Sequence, residues 1–327
     1  MFFLDCLFPR NNKEMDMFTL RVKHFGPVNS NRIIYYIEED SADLGFFAMY
    51  RCWLEYLYFA DVCGYTPVIS AGNHFTYKEE IKVNGTANAF EYYFVQPAEV
   101  SLREVKISRN VIESDLDHRK MVELILTGKV CSYKYNKRYL YMMSNIVKKY
   151  IKLNKETKDF INRGLMKLNF EKERVLGVHI RGTDFRAKYD NHPMYVTEEE
   201  CFREIKLMLD KNSYSKIFLA TDDERILSNF ITEFGNQVCF YEDVERSSRN
   251  KSVAFSRGKR ENHKYLLGLE VIRDMYTLSK CSGLVAGISQ VAICAQINKL
   301  SRGEKYEEIK IIDKGLYKNG HFFSRYY

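Results

Sequence analysis

The sequence predicts an α/β fold with parallel sheets, and three observations lead to this class. Short apolar runs alternate with longer amphipathic segments, a pattern typical of βαβ units. The apolar runs are nearly continuous and lack a period of two, which indicates strands that are covered on both faces. The chain has 327 residues, more than one hydrophobic core usually supports. We therefore expect two α/β domains, at 1–170 and 171–327.

The second half shows the alternation most clearly. We predict strands at 175–180, 216–222, 237–241, 283–288 and 308–313, and helices at 196–211, 223–234, 263–281 and 289–300. The start of the first helix is marked by Thr197 and Glu200, which have the spacing of a capping box. No GxGxxG turn follows any of these strands, and its absence counts against a dinucleotide ligand.

The first half is less regular. We predict strands at 32–38 and 66–70 and helical segments at 43–65, 117–130 and 136–170. Asp115 and Asp117 form a DxD pattern like that of metal-dependent transferases. Because they directly precede a helical segment, we expect a helix cap here and no metal site.

Composition limits the class of protein further. The chain is 46% hydrophobic and 28% charged, as in soluble globular proteins, and lacks the roughly 20 apolar residues of a membrane helix. Its N-terminus, MFFLDCLFPRNN, resembles neither a signal peptide nor an anchor. The eight cysteines include no CxxC pair, so we expect reduced thiols in a cytoplasmic protein and no zinc site. The net charge of +7 suits anionic partners such as nucleotide sugars or lipid-linked acceptors. No nucleic-acid-binding motif is present.

Polar residues follow three of the predicted strands directly. They are Arg181 and Gly182, then Asp222 and Asp223, then Ser289 and Gln290. In open α/β sheets, ligands bind outside the carboxyl ends of the strands. An arginine offers a rigid fork of donors to phosphate, and a helix start offers free N–H groups to an anion. If these strands are neighbours, their ends would bind a phosphorylated nucleotide ligand.

Several segments together resemble one enzyme group. They are GVHIRGTD (177–184), LATDD (219–223), LEVIRDMYTLSKCSGLVAGISQV (269–291), GFFAMYRCWLEYLYFADVCGYTPVI (45–69) and NAFEYYFVQPAEVSL (88–102). Their order and spacing are similar to those of the core α1,6-fucosyltransferase and nodulation-factor fucosyltransferase group, including its bacterial relatives. The resemblance covers about two thirds of the chain. It implies a GT-B-like fold, in which two Rossmann-like domains face each other across a cleft. It also implies an inverting enzyme that uses GDP-fucose and needs no metal.

The resemblance also assigns roles to residues of the second half. Arg181 matches the arginine that contacts the diphosphate, and Asp184 matches an aspartate expected to orient it or shape its loop. His179 and Asp274 match the residues that address guanine. The remaining donor-site positions are Gly182, the acidic pair Asp222 and Asp223, Ser289 near the diphosphate, and Gln290.

Two departures from the group concern phosphate binding. Gly182 stands where eukaryotic members have a second arginine, and Phe185 stands where they have a lysine that helps to neutralise the phosphate. Either Arg186 or Lys188 would have to replace that lysine, or the donor sits differently.

A third departure concerns the general base. In the group, a glutamate lies between the arginine motif and a His-Pro pair, which is His192-Pro193 in this chain. The intervening FRAKYDN is one residue shorter and contains no glutamate. Asp190 is the nearest carboxylate, so the hypothesis from sequence is that Asp190 is the base beside Arg181 and Asp184.

Each of these assignments has a simpler structural alternative. His179 would be an ordinary core histidine, Asp274 would pair with Arg273 on a helix face, and Asp223 would be only a helix cap. The basic loop 246–260 is either a solvated loop or a lid that closes over the donor site.

The function expected from sequence is metal-independent transfer of fucose from GDP-fucose to a glycan, such as a bacterial surface polysaccharide. A lipid-linked acceptor would bring the protein to a membrane surface. Two alternatives stay open. One is a transferase that uses another GDP-sugar or forms an α1,2 linkage. The other is a non-catalytic protein that binds a sugar nucleotide or a glycan.

Overall fold

The first half of the chain builds a small parallel sheet surrounded by helices. The computed structural model describes residues 20–38, 44–131, 133–170, 173–318 and 320–321. The elements of the first half are β1 (Ile34–Glu38), α1 (Phe46–Cys63), β2 (Thr66–Ser70), β3 (Phe94–Val95), α2 (Leu102–Val105), β4 (Val111–Glu113), α3 (Leu116–Thr127), α4 (Lys137–Tyr150), β5 (Lys152–Leu153) and α5 (Lys155–Leu168). The order β2-β1-β4 is parallel throughout, and β3 and β5 form a separate antiparallel pair.

The second half builds a five-stranded parallel sheet. Its elements are β6 (Val175–His179), α6 (Glu198–Lys211), β7 (Lys216–Ala220), α7 (Glu224–Phe234), β8 (Val238–Cys239), α8 (His263–Lys280), β9 (Gly283–Gly287), α9 (Gln290–Ser301) and β10 (Glu308–Ile312). The strand order is β10-β9-β6-β7-β8. The chain runs outward from β6 to one edge through β7 and β8, and then returns to fill the other side. The boundary between β6 and β9 is therefore the topological switch point, where such sheets bind ligands.

The predicted α/β class is confirmed, since both larger sheets are parallel. The capping box at the start of α6 is confirmed, because the Thr197 side chain and Glu200 satisfy each other's backbone N–H groups. The predicted cap of α3 is also confirmed, because Asp115 accepts a hydrogen bond from the Asp117 amide at 2.8 Å.

The helical segment predicted at 136–170 consists of two helices. Ile151 has extended backbone angles and ends α4. Asn154 then caps α5 by accepting from the amide of Thr157 at 2.9 Å. The short elements β3, α2 and β4 were not predicted, because two to four residues carry too little periodicity to be recognised.

The two halves share their largest hydrophobic core. Helix α1 is buried along most of its length, from Phe46 to Ala60. Helix α9, which comes from the second half, packs against both α1 and α4. One continuous cluster of buried side chains consequently runs from Tyr35 to Ile297. The domain boundary near residue 170 stays a prediction.

The described residues can be checked for disulfide bonds, membrane-spanning helices and metal sites. The seven described cysteines are not in disulfide bonds, and four of them, Cys52, Cys201, Cys281 and Cys294, are buried. The N-terminal segment MFFLDCLFPRNN, with Cys6, lies outside the described residues. Within the described ranges, no helix combines the length and apolar character needed to cross a membrane. Among the same residues, no three His, Cys, Asp or Glu side chains lie together in a way that could hold a metal ion.

Candidate functional site

The carboxyl ends of three adjacent strands meet at one edge of the five-stranded sheet. His179, the last residue of β6, is paired with Ala220 of β7 on one side and with Ala286 of β9 on the other. The polar segments that follow these strands are therefore neighbours. From the sequence, we expected Arg181, Asp222 and Ser289 to lie near one another only if their strands were neighbours. The order of the sheet shows that the strands are neighbours.

Arg181 is held at this edge by three partners. Its Nε donates to Asp184 Oδ1 at 3.0 Å, its Nη2 donates to Ser252 Oγ at 2.8 Å, and its Nη1 lies 2.9 Å from Asp222 Oδ2. Burial opposes its charge, but the two carboxylates outweigh burial and raise its pKa further. The guanidinium is therefore a fixed cation, and its side chain remains 24% exposed toward the cleft.

The loop after Arg181 is tied to the end of β7. The Gly182 amide donates to Asp222 Oδ1 at 3.1 Å, and the Thr183 hydroxyl donates to Asp222 Oδ2 at 2.6 Å. A Cβ atom on Gly182 would lie 2.3 Å from the Cβ of Asp223. Glycine is therefore required because Asp223 approaches this closely, which also explains why an arginine does not stand at this position.

Asp223 lies outside the cleft. It is fully buried and caps α7 by accepting from the Arg225 amide at 2.9 Å. Its other oxygen accepts from the Thr183 amide at 3.2 Å and pairs with the Arg225 guanidinium. Burial raises the pKa of its carboxyl, but Arg225 outweighs burial and lowers it overall. Among the acidic pair, only Asp222 borders the cleft.

His179 and Ser289 form a second fixed pair, across β6 and β9. Ser289 caps α9, since its Oγ accepts from the Ala292 amide at 3.1 Å, and the same Oγ lies 3.1 Å from His179 Nδ1. Burial, helped by the neighbouring Arg181, lowers the pKa of His179 to about 3. The imidazole is therefore neutral. The serine hydroxyl can donate to Nδ1, which places the ring proton on Nε2.

Two adjoining open cavities lie beyond these strand ends, with volumes of about 560 and 760 Å³ that include space open to solvent. We call them the acidic cavity and the aromatic cavity. Arg181, His179 and Tyr77 border both of them. The acidic cavity is also bordered by Asp222, Glu245, Glu270 and Asp274. The aromatic cavity is also bordered by Phe46, Phe47, Tyr133, Phe185, His192 and Phe255.

Asp274 projects from α8 at the wall of the acidic cavity. Its neighbour Arg273 pairs with Asp243 instead. Within the described part of the chain, no group donates a hydrogen bond to the Asp274 carboxylate. Burial raises its pKa to about 7, although Arg273 and Arg246 pull the value down. A buried acid that borders a cavity and lacks a donor is suited to accept N–H groups from a ligand.

Two helix N-termini border the aromatic cavity. One belongs to α9 and includes Ser289 and Gln290, and the other belongs to α1 and includes Gly45 and Phe46. Helix α1 has no cap from its N-cap residue Gly45 and no acidic residue in its first turn. Its Phe46 amide donates to the Tyr77 hydroxyl at 3.2 Å. Arg181 borders the same cavity as the two helix starts, and together they make this region favourable for an anion.

The basic loop 246–260 forms part of both cavity walls. Ser252 holds Arg181, Val253 and Ala254 border the acidic cavity, and Phe255 borders the aromatic cavity. The loop is anchored at its far end, where Arg260 pairs with Glu270 of α8. The loop therefore lies beside the site, and two of its basic residues, Arg246 and Arg260, are partly buried. Its role as a lid stays a prediction.

Three residues proposed from sequence are not brought into either cavity. Asp190 is exposed and binds Asn191 Nδ2 at 2.7 Å. Arg186 pairs with Glu198 at 2.8 Å and borders neither cavity. Lys188 is exposed and has a left-handed backbone conformation. The structure thus gives neither Arg186 nor Lys188 a place beside Arg181.

Sequence reasoning missed several residues that border the site. Tyr77 lies outside the segments that carry the resemblance, whereas Ser252 lies in the basic loop and Glu270 in the segment 269–291. None of the three was given a role, and only the fold shows them beside the strand ends. His192 was visible as part of the His-Pro pair but was given no role. Gln290 was identified, but its partner was not: its Oε1 accepts from the buried Arg51 of α1 at 2.9 Å.

Comparison with known families now adds to this geometry. The family described as "Alpha-(1,6)-fucosyltransferase N- and catalytic domains" matches residues 131–304, more than half of the chain. The chain belongs to this family. It is accordingly a glycosyltransferase. No curated protein sequence matches it.

Solved structures with a similar fold include two of NodZ α-1,6-fucosyltransferase. One, soaked with GDP-fucose, has 15% identity and a TM-score of 0.51, over 81% of this chain and 92% of that chain. The other, from Bradyrhizobium, has the same identity and TM-score, over 89% and 97%. POFUT1 with GDP-fucose is less similar, at 9% identity and a TM-score of 0.48 over 87% and 98%. The NodZ likeness supports the α/β fold with parallel sheets.

Proposed function

We propose that this glycosyltransferase moves fucose from GDP-fucose to a hydroxyl group of a glycan, with inversion and without a metal ion. The observation that carries the proposal is the position of Arg181. This fixed cation stands where the acidic cavity meets the aromatic cavity, and two helix N-termini face the same region. Family membership and the NodZ fold support the same reading.

The acidic cavity suits a guanine base. Guanine presents an N1–H and an exocyclic amino group side by side, and a carboxylate can accept from both. Asp274 is placed to do this, with Glu270 and Asp222 on the same cavity wall. Uracil has a single N–H on its pairing edge and no amino group, so a carboxylate at this point favours guanine over uracil.

The diphosphate would lie between Arg181 and the helix starts of α1 and α9. Negative charge grows on the leaving diphosphate as the bond to the sugar breaks. A fixed arginine and oriented amide groups stabilise that charge, and removing one such donor typically costs about 2.7–4 kcal/mol of barrier. Protein cations can supply this stabilisation, so the proposal includes no metal.

The aromatic cavity would then receive the fucose and the acceptor. It is bordered by Arg181 but not by Asp274, and its wall comes from both halves of the chain. This arrangement supports a GT-B-like reading in which two domains face each other across the cleft. We take the acceptor to be a bacterial surface polysaccharide or oligosaccharide, and an α1,2 linkage or another GDP-sugar remains the alternative.

Peripheral attachment to an anionic membrane is part of this proposal, and the charge distribution supports it. Residues 137–168, which form α4, β5 and α5, carry nine basic and two acidic residues. Their net charge of +7 equals the net charge of the whole chain. All nine basic side chains are exposed. They are Lys137, Arg138, Lys148, Lys149, Lys152, Lys155, Lys158, Arg163 and Lys167. The segment starts four residues after Tyr133, at the edge of the aromatic cavity.

Vesicle binding tests this attachment. Replacing Lys148, Lys152 and Lys158 by glutamine should weaken binding to vesicles containing phosphatidylglycerol by about 3 kcal/mol, at about 1 kcal/mol for each residue. The matched control replaces the exposed Lys82, Lys264 and Lys305, which changes the net charge equally. Equal weakening by both sets, or no binding to anionic vesicles, would contradict the proposal.

A cytoplasmic location also belongs to the proposal, and the described cysteines, which are not in disulfide bonds, support it.

The proposed reaction is tested by incubating the protein with GDP-fucose and a panel of soluble glycans in EDTA, and following GDP release and product mass. Fucosylation in EDTA supports the proposal. GDP-fucose that binds but is never transferred or hydrolysed would favour the non-catalytic alternative.

A further inference from the structure

We infer that His192 is the general base that removes the proton from the acceptor hydroxyl. This inference rests on the proposed function and adds the residue that the sequence could not supply. His192 borders the aromatic cavity together with Arg181 and Asp184, on the side of Arg181 where the acceptor would enter.

The position of the His192 ring is fixed from several directions. Its amide donates to the Tyr189 carbonyl at 3.2 Å, and its carbonyl accepts from the Tyr317 amide at 2.9 Å. Its ring lies edge-on to Phe185 and Tyr189, with centroids 6.2 and 5.6 Å apart, and 6.1 Å from Tyr133. Such a ring is held at the cavity wall while part of its surface stays accessible, as a base requires.

The other titratable groups of this cavity are unsuited to the task. Tyr77 and Tyr133 hold their protons, since burial raises the pKa of Tyr77 to about 12 and that of Tyr133 higher still. His179 is too weak a base, because burial and Arg181 lower its pKa to about 3, and its Nδ1 already faces Ser289.

The nearby carboxylates are also engaged. Asp184 Oδ1 accepts from Arg181 Nε and from the Thr183 hydroxyl, both at 3.0 Å. Protonating Asp184 would weaken the support of the cation that stabilises the leaving group. Asp190 is exposed and borders neither cavity. Among the described residues of the aromatic cavity, His192 is therefore the group best placed to take a proton.

The charges around His192 suit a base that works near neutral pH. Burial lowers its pKa below the usual value for histidine, Asp184 opposes this effect, and Arg181 adds to it. Tyr133 and Tyr189, whose rings contact it, are neutral, so Asp184 and Arg181 are the charged groups that affect its pKa. The imidazole is neutral at pH 7, and the Asp184 carboxylate stabilises the imidazolium once the proton has arrived.

The step balances without any further reactant. The acceptor oxygen forms a bond to the anomeric carbon of fucose, and the bond from that carbon to the diphosphate oxygen breaks. The diphosphate leaves with the electron pair beside Arg181. The hydroxyl proton passes to an imidazole nitrogen of His192, which later releases it to water.

The His192→Gln variant tests the inference, with the exposed His74→Gln as its matched control. We expect kcat for fucosylation to fall about 10²–10⁴-fold in His192→Gln, the usual contribution of a positioned base. The Kd for GDP-fucose, measured by calorimetry, should stay unchanged. The decline of kcat toward low pH, measured in the wild type at saturating GDP-fucose so that the ionisation of Asp274 does not contribute, should also disappear. Added imidazole should restore activity to His192→Ala.

Three results would overturn the inference. One is near wild-type kcat in His192→Gln with the same decline at low pH. The second is loss of GDP-fucose binding in both His192→Gln and His192→Asn, which would give His192 a structural role. The third is a loss in Asp190→Asn that His192→Gln does not share. Absence of transfer by the wild-type protein would instead refute the proposed function, so the two failures are distinguishable.

Discussion

The raised pKa of Asp274 makes donor binding depend on pH in a defined way. In the free protein, burial holds the pKa of this carboxyl at about 7. If guanine donates two N–H groups to the carboxylate, the bound state needs the ionised form. Binding must then lower the pKa, and it releases the proton that the free protein carries.

The size of the change in affinity with pH follows from the pKa of Asp274 in the free protein. With a value of about 7, about one tenth of the free carboxyl groups are ionised at pH 6 and about nine tenths at pH 8. The affinity for GDP-fucose should therefore rise about tenfold over this range and level off above it, which corresponds to about 1.4 kcal/mol. At pH 7, about half a proton should be released for each ligand bound.

Isothermal titration in pairs of buffers with different ionisation enthalpies measures both quantities. GDP-fucose is the suitable ligand, because its diphosphate is esterified at both ends and does not titrate in this range. The control is Asp274→Asn, which should bind more weakly and lose the pH dependence. An affinity that is flat from pH 6 to 8, or that falls as the pH rises, would refute the placement of guanine at Asp274.

Three further variants test the rest of the site. Arg181→Ala should raise the barrier to transfer by about 2.7–4 kcal/mol, measured as kcat/KM, and near wild-type turnover would remove its role at the diphosphate. Gly182→Ala should lower the free energy of unfolding by about 1–3 kcal/mol in urea denaturation, because its Cβ would overlap Asp223; an unchanged midpoint would count against this overlap. Ser289→Ala should cost about 0.5–2 kcal/mol of stability through loss of the α9 cap, and should also weaken GDP-fucose binding measured by calorimetry. Stability loss without weaker binding would leave Ser289 only a cap.

The sequence was informative where the chemistry is local. The strand that ends at His179, the capping box of Thr197 and Glu200, and the helix start at Ser289 all depend on neighbouring residues, and the structure shows them near the predicted positions. Arg181 could be singled out because a charge that directly follows a buried strand has few structural explanations.

Contacts between residues far apart in the chain could not be predicted from the sequence. Asp222 and Asp223 look equivalent in LATDD, yet the start of α7 turns one toward the cleft and buries the other as a cap. Tyr77 and Ser252 reach Arg181 only because the first half and the loop 246–260 fold over the strand ends. Asp190 was selected for its charge, and its loop instead places it at the surface, where it bonds to Asn191.

A partly buried hydrogen bond of α1 is another contact that the sequence could not predict. Arg51 looks like a surface residue of an amphipathic helix, yet it is 3% exposed and connects the first half to Gln290 at the start of α9. Such a contact joins residues 239 positions apart. No local pattern could have predicted it.

The central claim is that the strand ends around Arg181 and Asp274 bind a guanine nucleotide without a metal ion. Calorimetric titration of the protein with GDP, GDP-fucose, GDP-mannose and UDP-galactose in EDTA tests it most directly. We predict that GDP and GDP-fucose bind and that UDP-galactose does not. Failure of every guanine nucleotide to bind would contradict it.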